Sequence, residues 1–146
     1  MRRKAAVFAL IASFALLGSI SPAGATSTRL VGFMFGANER PNPGDPDGVG
    51  RATITINSVG NQLCVAIQFT NIDLPSTGFH IHNAPPGSAG PIVVPFAVPT
   101  SNQSFQCVQI GNELLSSLVA NPGNFYINVH NASFPGGAAR GQLQPG

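Results

Sequence analysis

Three histidines are the residues of this sequence best suited to chemistry. His80 and His82 stand two positions apart in the run FHIH, and His130 ends the run FYINVH. Residues two apart on a β-strand point to the same face, so the first two imidazoles are expected side by side. Same-face imidazoles can converge on one ion at about 2.0–2.1 Å, and a third leaves an open position suited to copper or zinc. The sequence therefore predicts a metal site formed by His80, His82 and His130.

The apolar residues that alternate with these histidines indicate which face of each strand is buried. The core face is expected to hold Phe79 and Ile81 of one run and Ile127 and Val129 of the other. The side chains left on the outer face are His80, His82, Tyr126, Asn128 and His130. The histidines can meet only if the two strands are neighbours in one sheet. The alternative is a solvated face on which three polar residues are each hydrogen-bonded locally.

Other catalytic patterns are weak. The chain has no Gly-x-Ser-x-Gly nucleophile elbow and no phosphate-binding glycine loop. Its acidic residues fall in turns or at a helix start, without the pairing that glycoside hydrolysis requires. Asp45-x-Asp47-Gly48 resembles the start of a calcium loop but lacks the further oxygen donors and terminal Glu.

The N-terminal residues have the pattern of a secretory signal peptide. Arg2-Arg3-Lys4 precedes an apolar run from Ala5 to Leu17, and Ala23-Gly24-Ala25 follows as a cleavage site. The apolar run is too short to cross a bilayer of about 30 Å, and nothing later is apolar enough. We therefore predict a signal peptide at residues 1–25, a mature domain at residues 26–146, secretion out of the cytoplasm and no membrane span.

Charge excludes one class of partner. Without the signal peptide, four arginines stand against five acidic residues, a formal net charge of −1. Nucleic-acid binding requires a basic patch that releases counterions, so no nucleic-acid partner is expected.

The cysteine content indicates an oxidising compartment. Cys64 and Cys107 are the two cysteines of the chain, and a pair in an exported protein is most simply a disulfide. Closing the loop between them should stabilise the fold by about 4 kcal/mol. The alternative is two buried free thiols.

Short β-rich runs separated by Gly, Pro and Asn predict an all-β fold. About eight strands are expected, with a loop from Asn38 to Gly50 and one short helix from Asn112, as N-cap, to Ala120. This pattern favours a β-sandwich or a small barrel in a single domain.

An ordered series of motifs resembles the CHRD domain, the module named after chordin. The motifs are Gly36-Ala37-Asn38-Glu39-x-Pro41, Gly50-x-Ala52-Thr53-Ile54-Thr55-Ile56, Phe79-His80-Ile81-His82, Gly90-Pro91-Ile92-Val93-Val94, Asn121-Pro122-x-x-Phe125-Tyr126-Ile127-Asn128-Val129-His130 and Pro135-x-Gly137-x-x-Arg140-Gly141-Gln142-Leu143. They cover nearly the whole mature chain in order. The resemblance implies an exported protein with an all-β fold, an immunoglobulin-like or superoxide-dismutase-like β-sandwich.

A second resemblance concerns the metal. Gly78–His82, followed by Ser88-Ala89-Gly90-Pro91, is similar to the copper-ligand strand and loop of copper/zinc superoxide dismutases. It implies copper on His80, His82 and His130. No zinc site is implied, because Ile92 stands where that family has its bridging histidine and the zinc-ligand loop is missing.

The same resemblance implies a catalytic role for Arg140, which falls near the position of the arginine that guides superoxide. If the hairpin turn is centred near Pro135, residues at equal distances before and after it face each other, and Arg140 lies opposite His130. The alternative for Arg140 is an ordinary surface arginine on a hairpin.

Together these patterns predict an exported CHRD-domain protein that binds a copper ion, for superoxide-dismutase-like redox chemistry or for copper handling. Whether it is an enzyme stays open. A different class of function is a metal-free adhesion or ligand-binding module that uses the sandwich surface and the Asn38–Gly50 loop.

Overall fold

The computed structural model describes residues 27–146, and the predicted signal peptide lies outside these residues. Eight strands and one α-helix follow each other along the chain. The strands are β1 (Ser27–Phe35), β2 (Val49–Asn57), β3 (Gln62–Thr70), β4 (Ser76–Asn83), β5 (Ile92–Pro95), β6 (Gln103–Gln109), β7 (Phe125–Asn131) and β8 (Ala139–Pro145). The helix is α1 (Asn112–Ala120), and 3-10 turns occupy Gly36–Asn38 and Pro122–Asn124.

The strands form one antiparallel sheet in the order β5-β4-β7-β8-β1-β2-β3-β6. The sheet curls so that its two halves face each other across the core. Phe69 of β3 meets Phe79 of β4 with ring centroids 6.3 Å apart, and Phe79 meets Phe96 at 5.0 Å. The prediction of an all-β fold with eight strands and one short helix is confirmed. The two layers are halves of one continuous sheet.

Alternation along β4 and β7 creates the core face that the sequence predicted. Phe79, Ile81, Ile127 and Val129 are all fully buried. Because successive side chains of a strand point to opposite faces, this fixes the histidines on the other face.

The helix α1 covers one end of the core. Leu115 and Leu118 are buried in the main apolar cluster, as expected from their shared face. The prediction that Asn112 caps the helix was wrong: the N-cap is Gly111, and no side chain caps the first turn. Within residues 27–146, no helix has the length and apolar character needed to cross a membrane.

A disulfide joins Cys64 to Cys107, as predicted. The two residues are direct partners in the pairing of β3 with β6. Because β6 is the last strand of the sheet formed by residues 27–146, the bridge fastens an edge strand to its neighbour β3.

Candidate metal centre

The three histidines meet because β4 and β7 are neighbouring antiparallel strands. Gly78 of β4 pairs with His130 of β7, and His80 pairs with Asn128. His80 and His130 are therefore diagonal neighbours on one face, with ring centroids 5.3 Å apart, while His80 and His82 are 5.6 Å apart. One ligand nitrogen from each histidine lies within 4.8 Å of the others. The fold thus brings together the three residues that the sequence singled out.

Gly78 provides the space in which the imidazoles meet. A Cβ atom at this position would lie 2.8 Å from His80 Cε1 and 3.2 Å from His130 Cδ2. Such contacts are shorter than carbon atoms tolerate, since their optimal separation is about 3.5–4.0 Å. A glycine directly opposite His130 therefore lets that ring lean across β4 towards His80.

We expect Gly78→Ala to weaken metal binding by roughly 10- to 100-fold, the range found when groups that orient ligands are altered. The added methyl group would push the rings of His80 and His130 apart. Copper titration against a competing chelator measures the change. Gly111→Ala is the matched control, because a Cβ atom there meets nothing within 4 Å. Equal affinities of the two variants would contradict this account of Gly78.

Backbone carbonyls fix the tautomers of two of the histidines. His82 Nδ1 lies 2.8 Å from the Gly90 carbonyl oxygen, and His130 Nδ1 lies 2.9 Å from that of Pro135. A carbonyl oxygen can only accept, so each Nδ1 carries the hydrogen and each Nε2 keeps a lone pair. Both rings are thereby oriented in the way that metal-binding histidines commonly are.

The lone pairs left over fit a metal ion. Among the described residues, His80 Nδ1 and His82 Nε2 are buried nitrogens without a hydrogen-bond partner. The third lone pair, on His130 Nε2, faces the Asn128 amide, with 3.0 Å to its Nδ2 atom. Unpartnered buried polar atoms are costly, and a cation bound by all three nitrogens would remove that cost.

Electrostatics keep the site ready for a cation. Burial lowers the pKa of His80, and the neighbouring His130 and His82 lower it further. Burial also lowers the pKa of His82, although the hydrogen bond to Gly90 opposes this. A neutral imidazole is the form that binds a metal, so both rings are in the competent state at neutral pH.

The outer face of the β4–β7 pair is covered rather than solvated. Tyr126 and Asn128 are 3% and 2% exposed. The Tyr126 ring stacks on His82, with centroids 4.6 Å apart and planes 8° from parallel, and its hydroxyl accepts a hydrogen bond from Gly90 N at 3.3 Å. The segment that follows β4 thus folds back over this face, and His82 is held by Gly90 of that segment and by Tyr126 of β7.

Arg140 does not lie opposite His130, so the predicted register of the β7–β8 hairpin was wrong. Arg140 pairs with Asn128, and Val129 pairs with Ala139. These pairs centre the hairpin on Phe134, one residue before the predicted centre. A centre displaced by one residue shifts every cross-strand partner by two.

The charge of Arg140 is enclosed within the protein. Its side chain is 2% exposed and donates hydrogen bonds to the carbonyl oxygens of Ser88 at 2.7 Å and Pro85 at 3.2 Å. The guanidinium also lies 3.4 Å from the centroid of the Tyr126 ring. Arg140, Tyr126 and His82 consequently form one stack, in which Tyr126 lies between the guanidinium and the His82 ring.

Glu39 is a buried group near the site that the sequence did not assign. It lies in the predicted Asn38–Gly50 loop, yet its side chain is 2% exposed. Burial raises its pKa to about 7, although Arg140, the Asn128 amide and Arg40 oppose the shift. The sequence carried one signal for it, its place in the first of the CHRD-like motifs.

The comparisons with known proteins identify one family. A family model described as the CHRD domain matches residues 33–143, most of the chain and nearly all of the described part. Neither the curated proteins nor the solved structures give a significant match. The similarity to the copper strand of superoxide dismutases stays a prediction.

Proposed function

The chain belongs to the CHRD-domain family, and we propose that it is an exported module that binds one copper ion through His80, His82 and His130. The observation that carries this proposal is the set of three converging imidazole lone pairs, two of them buried without any partner among the described residues. The disulfide and the CHRD domain are consistent with an extracellular location.

The donor set favours copper over other common ions. All three ligands are imidazoles, and no carboxylate or thiolate belongs to the group among the described residues. Oxygen-rich sites suit magnesium and calcium, whereas imidazole suits copper and zinc, with copper(II) binding more tightly to a given nitrogen site. Three protein ligands also leave a coordination position open.

Copper bound in this way would supply one-electron redox chemistry. We propose the turnover of superoxide as the specific reaction. The residues around the site would keep the rings in place: Gly90 and Pro135 orient two imidazoles, and Tyr126 supports the His82 ring. Because the Arg140 side chain is 2% exposed and its guanidinium lies over the Tyr126 ring, an anion from solvent would not contact it directly.

Metal analysis of the mature protein tests the proposal. We expect protein purified without chelator to take up one equivalent of copper, to prefer copper to zinc in competition, and to give a copper(II) electron paramagnetic resonance spectrum with nitrogen couplings. Failure to bind a stoichiometric ion would overturn the proposal. If copper binds but the loaded protein consumes superoxide no faster than a simple copper chelate, the role is copper handling.

A metal-free adhesion or ligand-binding role is the second candidate, and an exposed aromatic surface favours it. Phe33, Phe35 and Phe105 are 47%, 47% and 71% exposed, and Arg51 lies over the Phe33 ring at 5.6 Å. A groove of about 430 Å³ adjoins Arg51 and Phe105. Large exposed aromatic side chains on one sheet face are typical of recognition surfaces. This role predicts that Phe105→Ser weakens retention on a phenyl-bearing matrix, a probe of the exposed aromatic surface, equally with and without copper.

A further inference from the structure

The Glu39 carboxyl group is buried beside the backbone of the β7–β8 hairpin. A Cβ atom on Gly137 would lie 2.4 Å from Glu39 Cδ, so only a glycine leaves room for the carboxyl group. Gly137 also has a φ of +135°, a backbone conformation that favours glycine. Among the described residues, Glu39 Oε1 is a buried atom without a hydrogen-bond partner. The fold therefore accommodates a carboxyl group here and leaves one of its oxygens free.

Asn128 connects this carboxyl group to the histidines. Its side chain is 2% exposed, and its Nδ2 atom lies 3.0 Å from His130 Nε2. Asn38, next to Glu39 in the chain, donates a hydrogen bond to the Arg140 carbonyl oxygen at 3.3 Å, and Arg140 is the cross-strand partner of Asn128. Glu39 therefore lies on the same part of the hairpin as Asn128, whose side chain lowers the pKa of Glu39. In the metal-free protein, the amide thus donates a hydrogen bond to the Nε2 lone pair that His130 would give to an ion.

We propose that Glu39 is the charge-balancing carboxyl group of the metal centre. On this view, which rests on the proposed function, Glu39 gives up its proton when the histidines bind an ion. Its carboxylate then accepts a hydrogen bond from the Asn128 amide, which no longer donates to His130 Nε2. Glu39 is a positioning residue that acts through Asn128, and it does not belong to the group of nitrogens that holds the ion.

Two costs of ion binding explain why the proton leaves. The ion takes the lone pair of His130 Nε2, so the Asn128 N–H loses its acceptor in a buried place, where an unsatisfied donor is costly. The ion also brings positive charge to three imidazoles in a partly buried region. An ionised Glu39 offsets both, because it accepts the amide hydrogen and supplies negative charge. The released proton goes to the buffer.

The charges around Glu39 set how many protons are released. Burial holds its pKa near 7, against the lowering effects of Arg140 on β8, Asn128 on β7 and Arg40 in its own loop. About half of the carboxyl groups are then protonated at pH 7. A nearby cation favours the ionised form and lowers that pKa. Glu39 should therefore contribute about half a proton per ion at pH 7, more at pH 6 and almost none at pH 9.

Calorimetric titration with copper in two buffers of different ionisation enthalpy measures the protons released. Wild type, Glu39→Gln and the control Glu113→Gln are compared at pH 6, 7 and 9. Glu113 is an exposed carboxylate in the first turn of α1, so its replacement should change nothing. We expect Glu39→Gln to release about half a proton less than wild type at pH 7, with the difference vanishing at pH 9. Subtracting the variants removes any protons that the histidines release.

Infrared difference spectroscopy of the wild type alone provides a second measurement, should Glu39→Gln fold poorly. Adding copper at pH 6 should remove the carbonyl band of one protonated carboxyl group. Copper binding without loss of that band, or with equal proton release from wild type and Glu39→Gln, would overturn the role of Glu39 and leave the copper site intact. Failure of the wild type to bind copper would overturn the site and this inference together.

Discussion

Replacing His80, His82 or His130 by alanine is expected to lower the copper affinity of the protein by more than about 100-fold in each case. Loss of a group that only orients a ligand costs about 10- to 100-fold, and loss of a ligand itself removes a metal–nitrogen bond outright. The three nitrogens lie within 4.8 Å of one another, and no fourth His, Cys, Asp or Glu joins the group among the described residues. No replacement ligand is therefore at hand. Competition with a chelator of known affinity measures the change.

Asn83→Ala serves as the control, because Asn83 is exposed and directly follows His82 on β4. It should bind copper like the wild type. The wild-type affinity should fall in acid, since a proton competes with the ion for each imidazole. Because burial lowers the pKa values of His80 and His82, protons should compete with the ion at these two rings only below the ordinary histidine pKa of 6.5. Unchanged copper binding in all three histidine variants would contradict the proposed site.

Removal of the disulfide should cost about 4 kcal/mol of the free energy of unfolding. Cys64 and Cys107 are 43 positions apart, so the bridge closes a long loop and restricts the unfolded chain. A typical domain is stable by about 5–15 kcal/mol, so this loss is a large share of the total. Urea unfolding of the double variant Cys64→Ala/Cys107→Ala, compared with the oxidised wild type, measures the difference.

The same double variant should still bind one copper ion at temperatures at which it remains folded. The bridge joins β3 to β6, whereas the histidines lie on β4 and β7 in the opposite half of the sheet. Reduced wild type is the control, and it should unfold with the double variant at the same urea concentration. An unfolding free energy within about 1 kcal/mol of the oxidised wild type would show that the bridge does not constrain the unfolded chain as expected.

The sequence by itself determined the features that depend on local chemistry. Alternation of apolar and polar residues fixed which faces of β4 and β7 are buried, because strand side chains repeat every two residues. The same period put the imidazoles on one face. The disulfide followed from two cysteines in a chain with a secretory pattern, since no other pairing within the chain exists. The C-terminal end of α1 followed from the Asn121-Pro122-Gly123 stop.

Only the tertiary structure decided what lies around those residues. The pairing of β4 with β7, which joins distant segments of the chain, brings His130 opposite Gly78 and makes the three histidines one group. The β7–β8 register depends on which residue lies at the centre of an irregular turn. The predicted centre was one residue too late, so the predicted partner of Arg140 was wrong by two positions. The burial of Glu39 depends on the hairpin backbone at Gly137. Such contacts are set by packing between segments far apart in sequence, and no local period encodes them.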